Sequence, residues 1–564
     1  IGTSSSPFKG VFDGNNHTIS GLVINRSTTD YVGFFANLAS ATIKDLAIKG
    51  TILGQNYTGG IAGTSNSSTF TNVTFIGNIT GQQRLGGISG HSDGGTYTNC
   101  YYEGGLSSSN NNVGGINGYK TGTTTYTSCK VNSTITATGE NVGGIVGYGD
   151  SGSTTNITSC FTYGTISGGK YVGGLAGHIN IHTLSESGAI MNLNSTNGYV
   201  GGIIGSSDQM NNSDSDIQRK VIHCFCIGDI HSEGGNVGGI IGYDYGYYFY
   251  YSSSSISNSY YSGNICGKNN IGGIVGYAHL SKINKCYSVG SVSGNQNVGG
   301  IAGYLCGGGS NISSCVSIHD AINAITSDVG RIYGKKDAGN IGQTGSQTGN
   351  LGLGTCRVVK NGVLQTIEDG EQNGTNAGRS TLKVRGTYQA IGWNFNDDWN
   401  ILDTECYPYA KTQMAPPIIE SGCFTGSTSV SGKSVNGGTV YLTTNGKTYK
   451  TTVSNNHWTI TTSPLQGGAK VEVYADDDSQ IQSYVVSQEI SYKGKGTYDD
   501  PYQIYTAADL ANAGGNHYYK LMNDIDMTDD VAEGGDWDIG YGWAPICEDA
   551  STAFTGCFDG QGYT

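Results

Sequence analysis

The chain has 564 residues, 93 of them glycine, and a formal net charge of −14. Glycine is about 16 per cent against roughly 7 per cent in ordinary proteins, and charged residues, at 13 per cent, have about half their usual share. The acidic balance argues against a nucleic-acid binder. No run of 18 apolar residues marks a membrane-spanning helix, and 36 per cent hydrophobics with 38 tyrosines are too many for a disordered chain.

Proline is the next constraint. None of the seven lies between Pro7 and Pro408. Proline removes a ladder donor and is excluded from strands paired on both sides, while Gly, Ser, Thr and Asn are too frequent for helices. The stretch therefore predicts a long, continuously paired β structure. Within it a seven-residue motif recurs, as YTGGIAG from Tyr57, RLGGISG from Arg84, NVGGING from Asn112, NVGGIVG from Asn141, YVGGLAG from Tyr171, YVGGIIG from Tyr199, NVGGIIG from Asn236, NIGGIVG from Asn270 and NVGGIAG from Asn297. Degenerate copies start at Tyr31 and Asp328. From Val32 to Val329 the ten steps average about 30 residues, a repeat-architecture period. A second element, such as NCYYEG from Asn99 and SCFTYG from Ser159, lies between copies. Each repeat reads as two short β runs with alternating apolar positions, sending Val, Ile and Cys inward. Such a unit cannot bury its face alone, so stacked coils about 4.8 Å apart are expected. The glycine pairs are read as places of φ > 0 and close backbone approach.

These motifs resemble the GLUG repeats of bacterial and archaeal surface proteins, including adhesins and IgA-peptidase precursors. PFKGVFDGNNHTISGLVI, from Pro7, looks like a first coil, and the stretch from Ser380 to Ala410 like a closing one. The resemblance implies a parallel β-helix (β-solenoid) over about 1–412 at a cell surface; it does not imply a catalytic site. The expected division is repeats over 1–335 and closing coils with a cap over 336–412.

After Pro408 a linker is read at 413–421. Residues 422–492 alternate over short strands with turn signals at Asn436-Gly437, Asn445-Gly446 and Gly467-Gly468, and Trp458 falls at a core position. This part resembles the Ig-like β-sandwich modules of bacterial surface proteins. Residues 493–564 resemble the N-terminal cap and first coil of a following β-helix, with Thr506 capping a short helix. The end echoes the beginning. Ile546 matches Ile1, Phe554 matches Phe8, and Phe558-Asp559-Gly560 matches Phe12-Asp13-Gly14. The chain thus reads as one period of something longer. Tandem copies or separate subunits joined head to tail would meet through Ile1, Phe8, Phe12, Trp543, Ile546, Phe554 and Phe558.

Four smaller readings follow. Cys547 and Cys557 replace Gly2 and Val11 of the other copy together, which suggests a disulfide; Cys100 to Cys315 read as an inward row of mostly free thiols. No cofactor is expected, although Asp524, Asp526, Asp529 and Asp530 are clustered oxygens of the kind calcium takes; solvated charge is the other reading. The aromatic run Tyr247, Tyr248, Phe249, Tyr250 and Tyr251 reads as part of a stacked ladder, a packing interface or a glycan-binding surface. Glu186, Asp208, Asp214, Asp216, Asp244 and Asp150 are read as turn or insertion residues, so no paired carboxylates are expected on a strand face and no enzyme is expected. The sequence reading is an extracellular structural unit of a filament or giant fibrous surface protein, with further copies of itself as partners. The alternative is an adhesin whose aromatic side chains bind glycan or protein.

Overall fold

The computed structural model describes residues 1–150, 152–208, 219–246, 254–307, 309–337, 347–467, 469–477, 481–511, 513–527 and 554–563. They belong to two compact units, Ile1–Trp399 and Asn400–Thr564.

The first unit is a parallel β-solenoid of about 11 turns. The second motif residue of each repeat pairs with its equivalent one coil on, in the order Val32, Thr58, Leu85, Val113, Val142, Val172, Val200, Val237, Ile271, Val298 and Val329. The repeat period is therefore one coil. Each coil has four paired stretches, where the sequence reading found two runs. Val113–Gly114 pairs with Val142–Gly143, the Asn117–Lys120 stretch with Val146–Gly149, the Thr124–Thr127 stretch with Thr155–Thr158, and Lys130–Ala137 with Phe161–Gly168. The Thr124–Thr127 stretch and its equivalent carry Tyr126 and Ile157 inward among threonines and asparagine, so their apolar signal is too sparse to read.

The corners correct one expectation. The motif glycines do not supply the positive φ. It falls on the residue before the motif valine, at Asn112 (+66°), Asn141 (+63°) and Tyr171 (+57°), and on the residue before the cysteine, at Asn99 (+52°), Ser128 (+54°) and Ser159 (+53°). A left-handed non-glycine residue costs about 1–2 kcal/mol. Side-chain ladders offset this where Asn141 Nδ2 donates to Asn112 Oδ1 at 2.8 Å and Asn270 Nδ2 to Asn236 Oδ1 at 2.7 Å. The glycines serve close approach instead. A Cβ on Gly144 would stand 2.1 Å from the Gly174 carbonyl oxygen and 2.6 Å from Thr162 Cγ2.

The cysteine row is inward and buried, and its thiols are free. Each side chain at this corner bridges backbone. Cys160 Sγ accepts from Cys129 N at 3.4 Å and donates to Thr158 O at 3.4 Å. Ser187 and Ser259 do the same with their hydroxyls, accepting from Cys160 N and Cys224 N. A small side chain with one weak or strong donor fits, which is why Cys and Ser interchange. Burial pushes the Cys224 thiol up to about 12, keeping it protonated.

Strand β1 (Val11–Asn25) starts the stack and pairs with β2 (Thr42–Leu53), with Phe12 opposite Ile43. At the other end Leu351–Leu353 and Arg357–Lys360 pair with Val316–Gly330, and Thr375–Ala377 with Leu351–Leu353. The chain then leaves the stack through α1 (Arg385–Ala390). Trp393 donates to Ser314 O at 2.8 Å and stacks on Trp399 at 4.7 Å, against the Tyr287 ring.

In the second unit Ile418–Ser421, Ser429–Lys433 and His457–Thr461 form one small antiparallel sheet, and Thr439–Thr444, Lys447–Thr452, Lys470–Asp476 and Val486–Glu489 another. Val430, Val440, Leu442, Trp458, Ile460, Val471 and Val473 share one core. Asn445 (φ +47°) and Gly446 (φ +69°) close a two-residue hairpin, the turn such a pair favours. A third sheet is parallel and belongs to the last segment: β3 (Tyr502–Ile504), β4 (Tyr518–Leu521) and β5 (Cys557–Asp559). Between β3 and β4, α2 (Ala507–Ala511) is capped as expected, with Asp509 N donating to Thr506 Oγ1 at 3.1 Å. In return Asp509 Oδ2 accepts from Thr506 N at 3.0 Å, a reciprocal capping arrangement.

Two predictions follow from the packing. Gly144→Ala lowers stability by about 1–3 kcal/mol through the carbonyl clash, whereas Gly152→Ala, with open space around it, stays within about 0.5 kcal/mol. Amide hydrogen exchange of the flanking coils is the readout, since a stacked repeat does not unfold as one unit. The second concerns Lys120, whose ammonium donates to Gly122 O at 3.0 Å and Thr154 O at 2.9 Å. Burial pulls its pKa down to about 7. The unfolded chain then binds more protons than the fold between about pH 7 and the ordinary lysine value, so stability declines as pH falls through that window. Lys120→Met removes this slope, so denaturation midpoints of the variant gain on the parent between about pH 10 and pH 7.

Candidate functional site

The first candidate is the end of the solenoid at β1. An interior strand such as Lys130–Ala137 alternates exposed and buried residues throughout, but no residue of β1 is buried. Its inward side chains Phe12, Ile19 and Ile24 sit opposite the fully buried Ile43, Ile48 and Ile52, yet are only half-buried. Among the described residues nothing pairs with the other edge of β1. Phe8 and Phe12 pack on Phe35 at 5.2 and 5.4 Å, and Ile1 is 60% exposed.

The terminal echo is structural as well as sequential. Asp13 Oδ1 accepts from Asn15 N at 2.8 Å, and Asp559 Oδ1 accepts from Gln561 N at 2.9 Å. Asn15 and Gln561 have φ of +49° and +52°, and Asn16 and Gly562 of +60° and +79°. Strand β5 thus shares with the start of β1 its Phe-Asp-Gly sequence and the turn that follows. It is paired: Cys557, Phe558 and Asp559 lie in parallel register opposite Tyr518, Tyr519 and Lys520 of β4. Phe554 and Phe558 face the Tyr519 ring, at 6.0 and 6.4 Å between centroids. Of the expected contact residues, Trp543 and Ile546 lie outside the described residues.

The second candidate is an aromatic ladder. Tyr31 stacks on Tyr57 at 4.8 Å, and the Arg84 guanidinium lies over both Tyr57 and Tyr119, at 4.6 and 4.5 Å. The row continues through Tyr148 (5.5 Å), His178 (5.3 Å), Tyr171 (4.7 Å), Tyr199 (5.0 Å), Tyr243 (5.2 Å), Tyr277 (4.9 Å) and Tyr304 (5.3 Å). Its spacing is the coil spacing. Where neighbours are parallel, as in Tyr119–Tyr148 and Tyr243–Tyr277, each ring covers its neighbour's face and the outer surface is phenol edges. Tyr247, Tyr248, Phe249, Tyr250 and Tyr251 lie outside the described residues. The ladder was legible only in part, because its members alternate between the first motif position and the residue just past the motif's last glycine.

The acidic residues call for a correction. Asp208 and Asp244, read as turn or insertion residues, stand on strands Ile204–Asp208 and Ile241–Tyr245. The strand runs on past the last motif glycine, which the seven-residue pattern does not include. Asp244 is buried, accepts from Ser281 Oγ at 2.5 Å and from Ser254 Oγ, and pairs with the buried Arg219 at 3.4 Å. Arg219 also donates to Ser207 O at 2.8 Å and Tyr245 O at 2.9 Å. This network ties buried polar groups together inside the coil, although Arg219 Nε and Asp244 Oδ1 make no hydrogen bond. Asp214 and Asp216 lie outside the described residues. So do Asp529 and Asp530, while Asp524 and Asp526 follow β4. Among the described residues no three His, Cys, Asp or Glu side chains gather to hold a metal ion. Cys557 is exposed on β5, and Cys547 lies outside the described residues.

No protein-family model matches the chain, and no solved structure does. Two curated proteins are similar over short stretches. One is Halomucin of Haloquadratum walsbyi, 35% identical over 78 residues, which is 13% of this chain and 1% of that protein. The other is a putative Gly-rich membrane protein of Evansella cellulosilytica, 39% identical over 74 residues, 12% of this chain and 8% of that protein. The chain thus matches only a small part of either relative's length. Among the described residues no helix is long and apolar enough to cross a membrane.

The ladder makes a pH prediction. Burial first, then the Arg84 charge, lowers the His91 pKa to about 4. Its imidazole, 5.1 Å from the Tyr119 ring, stays neutral where an unfolded histidine is charged. Stability from this residue is complete above the ordinary histidine pKa and is lost as pH falls toward about 4. Arg84→Ala raises the His91 pKa, read from ring chemical shifts in an NMR titration.

Proposed function

We propose that the chain is a structural segment of a fibrous extracellular surface protein, in which β-solenoid rods repeat in series. The observation that carries this reading is the recurrence of the β1 start, in sequence and in backbone geometry, at 554–563. A rod segment followed by a small module and the start of another rod is the period of a longer fibre. Successive units join head to tail, the last segment of one completing the solenoid of the next. In this reading the motifs are GLUG repeats, and the two antiparallel sheets around Trp458 are an Ig-like spacer; one core shared by both sheets supports the spacer assignment. The printed name of the Evansella relative, a Gly-rich membrane protein, fits a surface setting.

The ladder favours a structural role over glycan recognition. A sugar stacks on an open ring face, and in the parallel pairs those faces are taken by neighbouring rings.

Electron microscopy of the native material tests the proposal. About 11 coils at about 4.8 Å give roughly 50 Å of rod. Fibres with a regular axial period longer than this are expected. Isolated particles without axial periodicity overturn it.

A further inference from the structure

The outer ladder sets phenol rings one above another at coil spacing. Tyr119 and Tyr148 stand opposite each other in parallel register, with ring centroids 5.5 Å apart and planes within 4°. Tyr243 and Tyr277 do the same at 4.9 Å and 20°. All four side chains are half-buried. We propose that these two pairs are modification sites, at which a one-electron oxidant, a peroxidase with hydrogen peroxide, couples the stacked rings into dityrosine and ties successive coils covalently. The proposal goes beyond the fibre reading and does not depend on it. The step balances. Each phenol gives up one electron and its hydroxyl proton, and the two radicals form a carbon–carbon bond between ring carbons next to the hydroxyls. The hydrogens on those carbons then return to the oxygens, restoring both phenols. Two tyrosines and one hydrogen peroxide yield one dityrosine and two waters.

Proximity supports it first. Parallel rings in register bring the coupling carbons to about the centroid separation, and side-chain rotation, which is fast, closes the rest. The backbone ladder holds the partners together, so one radical meets the other as an intramolecular neighbour. Access comes second. Tyr97–Tyr126 stack at 5.4 Å and 19°, and Tyr260–Tyr287 at 4.9 Å and 2° beside Trp399. These four rings are buried, so they share the geometry without the contact with solvent. Competition comes third. Trp393, Trp399 and Met191, which oxidise as readily, are buried as well. Among the described residues every cysteine is a free thiol, so the link supplies a covalent tie between coils that the cysteines do not. Charge tunes the reaction. The Arg84 guanidinium lies over the Tyr119 ring at 4.5 Å, where a cation opposes removal of an electron. It also lies over Tyr57 and donates to the Tyr57 hydroxyl, which sets the stacked Tyr31–Tyr57 pair apart.

The test uses the full chain at low concentration, with accessible thiols alkylated first. It is treated with a haem peroxidase and hydrogen peroxide, the monomer is isolated, and cross-linked peptides are identified by mass spectrometry. Tyr119–Tyr148 and Tyr243–Tyr277 links are expected, each at the summed peptide mass less two hydrogens, with none at Tyr97–Tyr126 or Tyr260–Tyr287. Tyr119→Phe keeps the ring stack, removes the first link and leaves the second; Tyr277→Phe does the reverse. Arg84→Ala speeds the Tyr119–Tyr148 link and leaves the rate at Tyr243–Tyr277 unchanged. After coupling, the amides of Asn117–Thr127 and Val146–Gly149 exchange more slowly than before. Oxidised monomer that carries neither link overturns the proposal. Links that form equally at the buried pairs overturn it too, because they mark a reaction of the unfolded chain. Dityrosine found only between separate chains also overturns it.

Discussion

The structure depends on one constraint: every coil must hydrogen-bond to its neighbours through the same backbone positions. Eleven equivalent residues from Val32 to Val329 pair in succession. Parallel strands lie about 4.8 Å apart, so whatever one coil does at a position is repeated about 4.8 Å away. Side chains then have two ways to live with identical neighbours. Rings stack, as in Phe70–Tyr97 at 4.6 Å inside and Tyr31–Tyr57 at 4.8 Å outside. Asparagine amides form a ladder, with Asn297 Nδ2 donating to Asn270 Oδ1 and Asn270 Nδ2 to Asn236 Oδ1, and the corner hydroxyls and thiols accept from the preceding coil's backbone and donate to their own. Charges cannot repeat, which accounts for a chain so poor in them.

The same constraint explains the interior. Consecutive coils leave carbonyls and hydroxyls at the corners, so isolated buried polar residues find hydrogen bonds there. Lys120 takes two carbonyls. Arg219 and Asp244 form a buried pair with serines around it. His319 hydrogen-bonds Ser288 Oγ at 2.8 Å and the Gly300 carbonyl at 3.0 Å, and burial lowers its pKa to about 4, so it remains neutral. A buried histidine beside a serine resembles catalytic furniture in isolation. Here both side chains are enclosed and bonded to the backbone turn.

A stack of identical coils has no intrinsic stopping point, so its ends are where the chemistry changes. At one end the indole of Trp393 and its stack with Trp399 replace repeat contacts. At the other, the inward side chains of β1 are only half-buried. The segment β3–α2–β4 is built differently from a coil: a short capped helix and the buried Ile504, Ala513 and Tyr519 form a small core of their own.

Much of this was legible in the sequence. The motif spacing determined the coil period, the missing prolines determined continuous pairing, and the inward cysteines followed from alternation, because each of these is a local pattern repeated many times. The echo of Phe12-Asp13-Gly14 in Phe558-Asp559-Gly560 was legible too, as a recurring sequence, and the same turn follows both. Other features were decided by tertiary structure. Only coil-on-coil stacking shows that the glycine pair is demanded by a carbonyl 2.1 Å from the missing Cβ while the positive φ sits on the preceding asparagine or tyrosine. The sparse stretch around Tyr126 and Ile157 and the strand positions of Asp208 and Asp244 emerge only once equivalent residues are aligned across coils. The partner of β5 was likewise invisible, since β4 shares no motif with it. A parallel pair is specified by hydrogen-bond register between distant segments, and that register leaves no local trace.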